Sequence, residues 1–188
     1  MKLLSLAALV ELMVCWFAWW YPFIFRAPHV QKRPSITLAG PTRVGLLLEG
    51  LAILVAFLFR LPAGAHADTP RLVLSMLVGP VAPLLAWTSV SHLGRQFRIN
   101  AGLYEDHQLV ESGPYGIVRH PIYASLLAIL LATLFLLTQW KWVAISLLFF
   151  IAGTEIRVRT EDRLLASRFG PSFETFRRRV PAYIPFIR

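Results

Sequence analysis

The chain alternates long apolar runs with short polar segments that carry proline and arginine. Residues 3–25 form the first run, directly behind Lys2. The run is longer than the apolar core of a signal peptide, about 7–15 residues, and no small-x-small cleavage pattern follows it. It therefore predicts a transmembrane helix. Trp16, Trp19, Trp20 and Tyr21 gather toward its end, where aromatics anchor a span at the membrane interface. A polar loop over 26–43 leads to a second span, 44–61, and a short loop over 62–70 to a third, 72–93. Gly79-Pro80 and Pro83 interrupt the third span and predict a kink.

Residues 94–121 make the longest non-apolar segment in the interior of the chain. The last two spans, 122–138 and 142–154, are separated only by Gln139, Trp140 and Lys141, so they predict an antiparallel hairpin. The fifth run is short for a span of about 20 residues, and its helix is expected to continue past Glu155 into water. Beyond it, Leu164, Leu165, Phe169, Phe173, Phe176 and Val180 recur at helical spacing, beside Arg177, Arg178 and Arg179. Gly170-Pro171 predicts the end of one helix and the start of another. An amphipathic tail lying against the membrane and its anionic lipids fits this pattern.

A mean hydropathy of +0.59 over 188 residues agrees with an integral membrane protein. The length allows a single unit over 1–188, with three spans in 1–93 and two spans plus the tail in 94–188. The net charge of +9 does not indicate nucleic acid, because the basic residues lie between and after the spans. If the first loop, the third loop and the tail share a side, that side holds 15 of the 19 Lys and Arg residues. The positive-inside rule then places the C-terminus in the cytoplasm and the N-terminus outside, as an odd number of spans requires. The single cysteine, Cys15, lies within an apolar run and reads as a buried structural thiol. No spacing of His, Cys and acidic residues suggests a metal site.

The chemistry concentrates where the third loop meets the fourth span. Gly113-Pro114 forces a turn, Pro121 suits the first turn of a helix, and Arg119, His120 and Tyr123 fall where that helix meets water. A helix N-terminus beside a cation and an imidazole suits an anionic group. Glu11 and Glu49 lie inside apolar spans, where carboxylates are costly. They read equally as cavity-lining groups and as hydrogen-bonded structural ones.

Two blocks carry a family resemblance. Leu109-Val110-x-x-Gly113-Pro114-Tyr115-x-x-x-Arg119-His120-Pro121-x-Tyr123 is the first. Glu161-Asp162-x-x-Leu165-x-x-x-Phe169-Gly170, followed by Arg179-Val180-Pro181 and Ile184-Pro185-Phe186-Ile187, is the second. Together they resemble the isoprenylcysteine carboxyl methyltransferases and the related phospholipid methyltransferases, over the C-terminal half. The resemblance implies S-adenosylmethionine as cofactor and methyl transfer to an amphiphile in the bilayer. It implies cofactor contacts from His107, Leu109, Val110, Gly113, Tyr115, His120, Pro121, Tyr123 and Glu161. It gives Arg119 and Glu161 catalytic roles, and makes Arg119, with Arg157 and Arg159 as further candidates, a holder of a substrate carboxylate. Asp162 stands where family members usually carry a second Glu, and its shorter side chain puts a direct role in question.

The expected molecule is therefore an all-α integral membrane protein of five transmembrane helices, with a cytoplasmic cofactor site and amphipathic C-terminal helices. Its expected location is a bacterial inner (cytoplasmic) membrane. Carboxyl O-methylation is the leading activity. Lipid-amine N-methylation and a non-catalytic cofactor-binding module are the alternatives.

Overall fold

A helix that is apolar on every face must be surrounded, and residues Pro121–Leu137 form such a helix, α5. The computed structural model describes residues 2–26, 36–37, 39–94, 97, 102–103 and 108–187. Around α5 pack α1 (Lys2–Tyr21), α3 (Thr69–Val78) and α4 (Val81–Leu93), while α2 (Ala39–Leu58) and α6 (Trp140–Phe169) lie along each other beside it. A last helix, α7 (Pro171–Arg179), closes the chain. Three stretches, 3–25, 40–58 and 69–93, are long and apolar enough to cross a membrane, and α5 is apolar but shorter.

Polar side chains tie the apolar helices together. Trp16 Nε1 donates to Thr133 Oγ1 at 3.1 Å and Trp19 Nε1 to Ser125 Oγ at 2.9 Å. These two indoles therefore turn inward onto α5 instead of resting at an interface, because a buried indole N–H needs an acceptor. Trp20 and Tyr21 stay exposed, and Tyr21 stacks on Trp87 of α4. The expected break in the third span falls at Gly79-Pro80, between α3 and α4. Pro83 causes no second kink, since it sits in the first turn of α4, where no backbone N–H is required.

The two ends of the bundle differ. At one end Leu61 N donates to Leu137 O at 2.6 Å and Gln139 N to Phe59 O at 3.0 Å. There the buried Arg71 donates to Leu134 O, Phe135 O and Thr138 O at 2.5–3.0 Å, engaging carbonyls at the end of α5. At the other end Ile36–Thr37 (β1) pairs antiparallel with Gly102–Leu103 (β2). This two-residue ladder departs from an all-helical chain and joins the first polar loop to the third.

Helix α6 runs on past Glu155, as its short apolar run requires. At about 1.5 Å per residue its 30 residues span about 45 Å, more than a hydrocarbon core of about 30 Å. Gly170, at φ 50°, turns the chain into α7, with Pro171 at the first helical position. Phe173, Phe176 and Val180 are buried against Leu109, Leu165, Ala166 and Phe169. The aromatic stripe of the tail thus faces protein.

Helices α2 and α6 approach closely through Gly45 and Gly153. A Cβ on Gly153 would lie 2.6 Å from Gly45 O and 3.0 Å from Glu49 N, and one on Gly45 would collide with the stem of Arg157. Small residues let apolar helices meet backbone to backbone.

Candidate functional site

The site is built where α5 begins, α6 leaves the bundle and the tail folds back. Pro121 opens α5, so His120 is its N-cap, yet the His120 side chain makes no cap hydrogen bond. It points instead at two adjacent carboxylates of α6. Nδ1 lies 3.2 Å from Glu161 Oε2 and Nε2 lies 2.9 Å from Asp162 Oδ1. Asp162 also pairs with Arg119 Nη2 at 3.0 Å. Tyr123, one turn into α5, stacks on the His120 ring and donates its hydroxyl to Glu161 Oε1.

Arg119 continues the lattice into the tail. Its guanidinium donates to Val180 O and, at 3.2 Å, to Arg177 O. Its backbone N–H donates to Pro181 O and that of His120 to Ala182 O, both at 2.8 Å. On the membrane side, Arg157 places its guanidinium over the Tyr123 ring, 4.6 Å from the centroid, and its Nη1 2.6 Å from Glu49 Oε2. Charges therefore alternate along one line: Glu49, Arg157, Glu161, His120, Asp162, Arg119.

These contacts set the protonation states. Burial pulls the His120 pKa down, but hydrogen bonds and charge from Asp162 and Glu161 outweigh it and raise it to about 9. Burial pushes Glu161 and Asp162 up, and the His120 bonds and the nearby arginines bring both below their ordinary values. Near neutral pH the cluster holds an imidazolium between two carboxylates. Burial, with the Glu161 charge behind it, raises Tyr115 well above an ordinary phenol, so its hydroxyl stays protonated.

Tyr115, His120, Tyr123, Glu161 and Arg157 thus form one connected region, with Pro121 setting the start of α5. Leu109 lies under α7 in the Phe173–Phe176 cluster, and Val110 beside it is half-buried. Gly113 is needed for its φ of +60° and because a Cβ there would strike the His92 imidazole. Arg159 is exposed and pairs with Glu155 at 3.2 Å. His107 lies outside the described residues. For three participants the sequence did not disclose the partner. Asp162 bridges Arg119 and His120, Glu49 anchors Arg157, and His92 packs on Gly113. A carboxylate in mid-span was the only signal for Glu49, Asp162 stood in the second block with its direct role in question, and nothing in the pattern marked His92.

The residues present fit a zwitterionic cofactor. The Tyr115 hydroxyl and Arg119 Nε are buried donors with no hydrogen-bond partner among the described residues, and both suit a carboxylate. The Glu161 side chain, 26% exposed against 11% for Asp162, is the more accessible acceptor for an ammonium group.

The model of the isoprenylcysteine carboxyl methyltransferase family matches residues 73–167, half of the chain. Among relatives, the cobalt-zinc-cadmium resistance protein of Cupriavidus metallidurans is 36% identical over 112 residues, 57% of this chain and 51% of that protein. The protein-S-isoprenylcysteine O-methyltransferase of Schizosaccharomyces pombe is 37% identical over 83 residues, 44% of this chain and 35% of that protein. Protein-S-isoprenylcysteine O-methyltransferase B of Arabidopsis thaliana is 25% identical over 156 residues, 81% of this chain and 78% of that protein. The chain spans about half the length or less of the first two.

The site carries a pH signature. A raised His120 pKa stabilises the fold fully below the unfolded value of about 6.5, and that stability is lost as pH rises through about 9. The depressed carboxylates act only at the acid end, where stability falls as they protonate. Thermal unfolding in detergent is expected to show a loss of roughly 3 kcal/mol between pH 6.5 and 9 in the wild type. His120→Gln should flatten that slope. A wild-type midpoint that stays constant over this window would contradict the buried imidazolium.

Proposed function

Because the chain belongs to the isoprenylcysteine carboxyl methyltransferase family, we propose that it transfers a methyl group from S-adenosylmethionine to a carboxylate on a lipid-like molecule in the bilayer. The cofactor, when bound, supplies an electrophilic methyl group. Glu161 receives its ammonium, while Tyr115 and Arg119 offer donors to its carboxylate. Pro121 and Tyr123 shape the mouth of α5 against it, and Arg157 reaches toward the membrane side, where a substrate would enter. Leu109 and Val110 act through the packing of the tail. The apolar walls exclude water, and the buried ion network holds its groups rigid, so alignment is the main task left to the protein.

One observation favours a carboxylate over an amine. Among the described residues at this site, the imidazole that touches Glu161, that of His120, has both ring nitrogens against carboxylates and a pKa raised to about 9. Such a group cannot accept a proton from an ammonium substrate near neutral pH, and the Tyr115 phenol cannot either. A carboxylate needs no base, since its ordinary pKa of about 4 leaves it ionised. The printed names of the fission-yeast and plant relatives, both O-methyltransferases, point the same way.

In the membrane we read five spans, with α5 and the apolar part of α6 completing the three longer ones. The N-terminus lies outside, and the site faces the cytoplasm of a bacterial inner membrane. Support comes from the basic-residue partition and from the pairing of β1 with β2, which holds the first and third loops at one end. The tail adds contact with anionic lipid. Arg119, Arg177, Arg178 and Ala182 line an open groove of about 430 Å³ at that end.

Labelled cofactor incubated with the purified protein and a lipid extract should give a methylated lipid. Its label should be released as methanol by mild base, with a rate nearly flat from pH 6 to 8. Glu161→Gln should weaken cofactor binding by about ten- to a hundredfold, the loss of one charge-assisted hydrogen bond. A base-stable methylamine product, with a rate climbing steeply with pH, would overturn the carboxylate assignment. For orientation, a cysteine replacing Ser172 in a Cys15→Ser background should react only from the cytoplasmic side. Labelling from outside intact cells would reverse the topology.

A further inference from the structure

Helix α2 lies outside the family-matched residues, yet it sends a carboxylate into the site. Glu49 is 3% exposed in the middle of an apolar helix, a costly place for an acid unless it is fully engaged. It is engaged on both oxygens. Oε1 accepts from Thr154 Oγ1 at 3.0 Å and Oε2 pairs with Arg157 Nη1 at 2.6 Å. The backbone makes room for this pair. Gly45, one turn before Glu49, has no Cβ to block the Arg157 stem, and Gly153 brings α6 close enough for Thr154 and Arg157 to reach Glu49.

The pair is more than a staple between two helices. Ser146 Oγ already bonds Ala52 O at 2.8 Å across the same contact, and a buried ion pair is often no more stabilising than apolar residues in its place. What sets it apart is where it leads. The guanidinium lies against the Tyr123 ring, and the Tyr123 hydroxyl is bonded to Glu161. Arg157 and Glu161 also stand one turn apart on the same face of α6, close enough to attract each other directly. With Glu49 in place, the cation is drawn back toward α2. Without it, Arg157 loses its carboxylate partner on α2, and its attraction to Glu161 competes more strongly with His120 and Tyr123 for that carboxylate.

We propose that Glu49 is a positioning residue: by holding Arg157 against Tyr123 it keeps Glu161 aimed for the ammonium of the cofactor. This rests on the cofactor assignment above, so the test carries one readout that needs no ligand. The full chain in detergent is titrated calorimetrically with S-adenosylhomocysteine. The His120 titration midpoint is followed separately by ¹⁵N NMR of histidine-labelled protein. His120 is faced there by Glu161 and Asp162 from α6, by Tyr123 from α5 and by Arg119 beside it.

Glu49→Gln is expected to weaken binding at least about tenfold and to lower the His120 midpoint by about one unit as Arg157 takes Glu161 from it. Thr154→Val, which keeps both charges, should move both readouts in the same direction by a smaller amount, and it stands in if Glu49→Gln does not fold. Ser146→Ala, on the same helix pair but away from Arg157, should change thermal stability and neither readout. The proposal is overturned if the folded Glu49→Gln and Thr154→Val chains keep wild-type values in both readouts, or if Ser146→Ala shifts them equally. A wild-type chain that binds no S-adenosylhomocysteine would remove the cofactor assignment, and the midpoint alone would then decide whether Glu49 governs Glu161.

Discussion

A buried imidazolium has to be surrounded by negative charge or give up its proton, and this constraint organises the functional end of the molecule. His120 meets it with Glu161 on one nitrogen and Asp162 on the other. Two neighbouring acids can flank one ring only if α6 extends past the apolar layer to the level at which α5 begins. The length of α6 and the position of Pro121 are thus parts of one requirement. Asp162 then draws in Arg119, and Arg119 holds the returning tail by its carbonyls. Opening the tail would leave the Arg119 donors unpaired, and α7 could not be undocked without exposing Phe173 and Phe176.

The rest of the bundle holds these elements at fixed separation. Helix α5 carries His120 and Tyr123 and is enclosed by α1, α3 and α4, with Trp16 and Trp19 bonded into it. Arg71 closes its far end on the carbonyls there, so the helix is fixed at both termini. Helix α6 carries the acids and is positioned by α2 through Gly45 and Gly153. The two structural pairs, α5 with its ring and α6 with its clasp, meet at Glu161 and His120.

Much of this was legible in the sequence, for identifiable reasons. Apolar runs bounded by Pro and Gly are strong signals, so the helices, the Gly170-Pro171 junction and the continuation of α6 past Glu155 could all be read. The two signature blocks fell on one end, and His120, Tyr123 and Glu161 do meet there. What stayed hidden were partners distant in sequence. Periodicity says which face a residue occupies but not which neighbour it meets. Arg157 is 108 residues from Glu49, and no local pattern pairs them. The inward turn of Trp16 and Trp19 was masked because a tryptophan near a span's end has the same signature whether it faces lipid or a hydroxyl on the next helix. Asp162 looked too short to act, yet its reach suffices because α6 passes close to His120. Pro83 looked like a kink because its position in the first turn of α4 depended on where the break at Gly79-Pro80 restarted the helix.

The central claim is that His120 and Asp162 form one energetic unit that locks α5 to α6. A double-mutant cycle tests it most directly, with His120→Asn, Asp162→Asn and the double variant compared by chemical unfolding at pH 6.5 in one detergent. A real interlock should give a coupling energy on the order of 1.5–3 kcal/mol, the double variant losing far less than the two single losses together. Losses that add within about 0.5 kcal/mol would mean that the two residues act independently, and the account of the site built on them would fail.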